Sequence, residues 1–170
     1  MSTKLKERQK NLIEEIDAMQ TEAAQKRFEI KFDNMKSVKA VQDHLNKGYT
    51  WKTQNAAVVV SLYDQFKTQA KGLTSEEEPT ISLRGHELNA LYQALLNVEG
   101  QGIENARRFI TMLTNVGEAV GVAMQELSEL NSTLNELHAE LSQVDAELDA
   151  LNAVETVTPE LETEANESSK

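Results

Sequence analysis

The chain has 170 residues, 39% of them hydrophobic, and a formal net charge of −11. That length and apolar content suit one ordinary domain with an appendage. With no cysteine, disulfides, thiolate metal sites and thiol nucleophiles are excluded together.

Residues 3–25 predict an amphipathic helix, with Leu5, Leu12, Ile16, Met19 and Ala23 at helical spacing and a charged opposite face. The segment Arg27-Phe28-Glu29-Ile30-Lys31-Phe32 then alternates strictly, the period of a half-buried strand. Asp33 and Asn34 are capping residues, and Met35, Val38, Val41 and Leu45 make a helical stripe closed by Gly48. From Thr50 to Lys71 a second stripe joins Trp51, Val59, Leu62, Tyr63, Phe66 and Ala70, with Gly72 as its stop. Val58-Val59-Val60 argues locally for a strand, but its Gln-, Lys- and Ala-rich surroundings favour helix.

After a turn-forming stretch from Leu73 to Pro79, Thr80-Ile81-Ser82-Leu83-Arg84 alternates again and is expected to pair with 27–32. Leu88, Leu91, Tyr92, Leu95 and Leu96 mark the next helix, and Gly100-Gln101-Gly102 is a tight break that implies a helical hairpin. A long helix over about 103–152 follows. Val154 to Lys170, rich in Glu, Thr, Ser and Asn, has too little apolar surface to offset ordering and reads as a disordered acidic tail.

The long helix carries the most regular signal. Fourteen positions in alternating steps of three and four, from Ala106 and Phe109 to Leu148 and Leu151, are all apolar, the mark of a helix packed lengthwise on another. With Ala106 at heptad position a, the flanking e and g positions of the first half include Ile110, Met112, Ala119 and Met124, a wide apolar face that several elements should cover. In the second half they become Glu126, Asn131, Thr133, His138, Glu140, Asp145, Glu147 and Asn152, a narrow stripe suited to a two-stranded coil.

Charge chooses the partner of that stripe. Residues 1–125 hold as many basic as acidic groups, whereas 126–153 hold seven acids and no Lys or Arg, and 154–170 add five acids and one lysine. A parallel homodimer would set Glu140 against Asp145 with no compensating base, a like-charge contact that destabilises. The first helix brings Lys4, Lys6, Arg8 and Lys10 instead. The expected fold is therefore mainly α: an antiparallel two-helix coiled-coil stalk of 1–25 and 126–153, the latter continuous with 103–125. It carries a small helical head over 26–125 with short strands near 27–32 and 80–84.

No reaction centre has the required spacing. His44, His86 and His138 lie in different elements without a paired-histidine metal motif, and neither a nucleophile elbow nor a phosphate-cradling glycine loop occurs. Glu76-Glu77-Glu78 lacks the alternating ligands and glycine of a calcium loop. The expectation is a non-enzyme without metal or cofactor. Candidate partner-binding residues are Arg107 and Arg108, cations in the first turns of the long helix, with Arg84 at the end of the second strand; Trp51, for which core anchoring is the commoner fate; and the acids Glu140, Asp145, Glu147 and Asp149.

No segment approaches the roughly 18 apolar residues of a membrane span, and Met1-Ser2-Thr3-Lys4-Leu5-Lys6 lacks a secretory core, so a cytoplasmic protein is expected. The style of the chain, a cysteine-free head on a coiled stalk with an acidic tail, is shared by analogy with virion, phage and assembly accessory proteins, which would make it virion-associated. The leading expectation is a structural or assembly protein that contacts other protein subunits, with self-association through Met112, Met124 or the Trp51 region. Direct nucleic-acid contact is not expected of so acidic an end. The alternative is an acidic regulator of a basic, nucleic-acid-binding protein.

Overall fold

The computed structural model describes residues 2–73 and 78–157. It is mainly helical with a small two-stranded antiparallel sheet, in the order α1 (Ser2–Gln25), β1 (Arg27–Lys31), α2 (Met35–Asp43), α3 (Ala56–Ala70), β2 (Thr80–Arg84), α4 (Gly85–Leu96) and α5 (Ile103–Val157). The chain divides into two compact units, Ala24–Ser128 and Met1–Ala23 with Glu129–Lys170.

In the Ala24–Ser128 unit, β1 and β2 pair with Phe28 opposite Leu83 and Ile30 opposite Ile81. All four are buried; the alternation that predicts the strands is the alternation that sends these side chains to one face. A two-stranded ribbon is marginal alone, and here α3 and α4 pack against it. Phe32 lies one residue past β1, yet its N–H donates to Pro79 O at 2.9 Å and its ring meets Phe66 edge to face at 5.9 Å. The outer edge of β2 is closed by α3: Gln69 accepts from Ser82 N–H at 2.8 Å and donates to Ser82 O at 2.7 Å. This side chain takes the place of a neighbouring strand.

Asn34 caps α2, its side chain accepting from Ser37 N–H at 3.0 Å. The helix then widens into a π-helical turn, His44–Gly48. His44 Nε2–H donates to Ala94 O at 3.1 Å, and the ring stands edge-on to Tyr49 and Phe109. A Cβ on residue 48 would come within 2.8 Å of His44 Nδ1, so the turn needs Gly48.

α3 begins at Ala56 rather than at Thr50. Asn55 accepts from Lys52 N–H at 2.9 Å and donates to Tyr49 Oη at 3.2 Å, local bonds that hold Thr53–Asn55 as a 3₁₀ turn and compete with helix propagation. Val58, Val59 and Val60 are helical.

Gly102, at φ 87°, makes the break before α5. α4 and α5 run antiparallel, since Tyr92 lies beside Gly117 while Gly85 lies beside Leu127. The core between these layers includes Leu62, Phe66, Leu88, Leu91, Met112 and Val116; full burial of each such side chain contributes about 1.5–3 kcal/mol.

In the other unit, α1 buries Leu12 and Ile16, and Leu12 packs in one cluster with Val144 and Leu148, flanked by Leu5, Leu137 and Leu141. α5 continues to Val157, so 154–157 are helical rather than part of a disordered tail. Residues 158–170 of the expected tail, and Glu76 and Glu77 of the acidic run, lie outside the described residues.

Candidate interaction surfaces

At the junction of β2 and α4 the chain builds its most buried polar group. Glu87, fully buried, is the third residue of α4. It accepts from Arg84 N–H at 3.0 Å, from the Arg84 guanidinium at 2.9 Å and from the Ser61 hydroxyl at 2.9 Å. Burial pushes the carboxyl up, but the bonds from the Arg84 side chain, the Arg84 backbone and Ser61 outweigh it and hold the group below its ordinary value. The same bond raises the Arg84 guanidinium. Arg84 Nε is buried without a partner among the described residues. The Arg84 side chain is thus paired with Glu87 across the start of α4.

Arg107 and Arg108 are exposed in the first turns of α5. Arg108 lines a cavity of about 760 Å³ together with the apolar Leu95, Phe109 and Leu113 and the charged Asp43, Lys47 and Glu99. Among the described residues no cluster of His, Asp or Glu could hold a metal ion.

Trp51 is 59% exposed, which overturns its expected anchoring in the core. It precedes the 3₁₀ turn instead of riding on a helix face. Tyr49 and Tyr63 pack against the core. Met112, expected as a leftover apolar flank, is buried, whereas Ile110 and Met124 on the opposite flank of α5 are exposed. The wide apolar face is therefore covered on one side only.

Glu140 and Asp145 meet α1. Arg8 donates to Glu140 through Nε at 3.1 Å and Nη2 at 2.5 Å, which raises the guanidinium pKa, with a smaller contribution from the nearby charge of Glu147. Gln9 Nε2 donates to Asp145 at 2.7 Å. Glu147 and Asp149 are exposed, as are Lys4 and Lys6, and Lys10 pairs within α1 with Glu14 at 3.6 Å. Gln9 is the residue that periodicity alone passed over. Leu5, Gln9, Leu12, Ile16, Met19 and Ala23 follow steps of four and three, and all are buried or half-buried. The only signal for Gln9 was its place in that count.

Charge divides with the units. Residues 24–128 hold 12 basic and 12 acidic groups, so the whole net charge of −11 belongs to residues 1–23 and 129–170. Among the described residues no helix is long and apolar enough to cross a membrane. No family model, curated protein or solved structure matches the chain.

Proposed function

We propose that the protein is a non-enzymatic structural or assembly accessory factor that acts through protein–protein contacts, with α1 and the second half of α5 forming an antiparallel two-helix coiled-coil stalk. The observation that carries this reading is the buried cluster of Leu12 with Val144 and Leu148, bordered by the Arg8–Glu140 and Gln9–Asp145 contacts. Apolar seams that pair helices lengthwise, and the lack of convergent reactive groups among the described residues, suit a scaffold better than a catalyst. A tagged full-length chain should retain its associated subunits through purification, and a variant lacking residues 1–22 should lose both those subunits and helical far-ultraviolet signal. Retention of both after the deletion contradicts the reading.

The segregation of charge favours one alternative, an acidic regulator that occupies the basic surface of a nucleic-acid-binding protein. Under that reading, binding to such a protein weakens steeply with salt and is lost when Glu147 and Asp149 are both replaced by Gln; salt-insensitive binding excludes it.

A further inference from the structure

One flank of α5 carries an ordered row of apolar residues. Ile103, Ala106, Ile110, Leu113, Gly117, Val120 and Met124 repeat the three-and-four spacing without a polar interruption; Leu113 and Val120 are half-buried against the core, and Ile103, Ile110 and Met124 are the open flank beside them. Ile103, Ile110 and Met124 are 71%, 65% and 69% exposed. The next step of three reaches Leu127, which packs against the core, and the step of four after it reaches Asn131, where the stripe ends. Tyr92 of α4 lies against Gly117, so the exposed surface consists of an Ile103–Ile110 end and a Met124 end. Such spacing is matched by another helix laid lengthwise.

The solvent side of the stripe carries Arg107 near one end and Glu118 near the other, and neither makes a salt bridge among the described residues. Two copies of α5 related by a two-fold axis crossing near Leu113 run antiparallel. They set the Ile103 end of one copy against the Val120–Met124 end of the other, and each Arg107 beside the opposing Glu118. A parallel pairing puts the two copies of each charge on opposite sides of the seam and leaves Arg107 and Glu118 unmatched. The Ala24–Ser128 unit has no net charge and so offers no bulk repulsion to its own copy.

We infer that this face of α5 is a self-association surface whose occupant is the same face of a second copy, in antiparallel register with reciprocal Arg107–Glu118 pairs. An isologous interface of this kind closes at a dimer. The inference rests on the assembly reading above and names one of its partners.

Sedimentation equilibrium of the full chain over a wide concentration range tests it. Wild type dimerises, Arg107→Glu and Glu118→Arg each weaken the dimer about tenfold because two pairs become repulsive, and the double variant R107E/E118R recovers wild-type affinity. Ile110→Asn gives monomer with an unchanged helical signal, since the side chain is already in solvent. A dimer indifferent to all four variants overturns the proposal, as does a wild-type monomer at every concentration. If that monomer still holds other subunits, the assembly reading survives and only this interface falls.

Discussion

The Gln9 amide donates to the Asp145 carboxylate at 2.7 Å, and Gln9 is a half-buried polar residue between Leu5 and Leu12 on the packed face of α1. A polar residue at such a position lowers packing energy and selects one axial alignment of two helices, because only that alignment supplies its partner. Asp145→Ala should destabilise the packing of α1 by about 1 kcal/mol, the size of a part-buried hydrogen bond to a charged acceptor. Urea titrations of the two single alanine variants and the double variant at 9 and 145, followed by helical circular dichroism, should give a coupling of about the same size. Additive effects would show that the bond does not matter.

Glu87 has a stability role with a definite pH window. Its folded pKa lies below the ordinary carboxylate value, so its bonds add stability above the unfolded pKa of about 4.3. That stability is lost as pH falls through the lower folded value. Glu87→Gln should flatten the acid limb of the stability profile below about pH 4. Glu87→Ala, which strands the Ser61 hydroxyl and the Arg84 N–H, should cost about 2 kcal/mol at neutral pH. Equal acid sensitivity in wild type and the Gln variant would remove this carboxylate from the account.

The turn after α2 makes a paired prediction. Gly48→Ala forces a Cβ to within 2.8 Å of an imidazole that Ala94 O, Tyr49 and Phe109 hold in place, so it should cost about 1–3 kcal/mol. In a His44→Ala background the same change should cost little. Thermal melts of the four proteins in this cycle decide it.

The exposed Trp51 is the only tryptophan in the chain, so intrinsic emission reports on it alone. Emission should be that of an indole in water and readily quenched by iodide. Trp51→Ala should shift stability by no more than about 0.5 kcal/mol. Blue-shifted, protected emission from the monomer would place the ring in the core after all.

Periodicity made the regular elements legible, because burial imposes it directly. The pairing of Phe28 and Ile30 with Leu83 and Ile81 followed from two alternating runs, and Asn34 and Gly48 were readable as cap and stop from backbone chemistry. What failed to show were features decided by neighbours distant in sequence. Met112 and Met124 are the same residue on opposite flanks of one helix, and only the elements packed on one flank make the first core and the second surface. Trp51 had a helical spacing, but the Asn55 bonds to Lys52 and Tyr49 stop the helix short of it. Arg84 looked like a cation at a strand end until Glu87, three residues on, claimed it. Gln69, which closes the sheet edge, carries no local signal at all.

The absence of native cysteine allows a direct test of the pairing of α1 with the acidic part of α5. Cysteines placed at Arg8 and Glu140, treated with a short thiol-bridging reagent in dilute solution, should join within one chain at a rate independent of protein concentration, while a pair at Met19 and Glu140 should join far more slowly. No bridging between 8 and 140, or bridging found only between separate chains, would contradict the account.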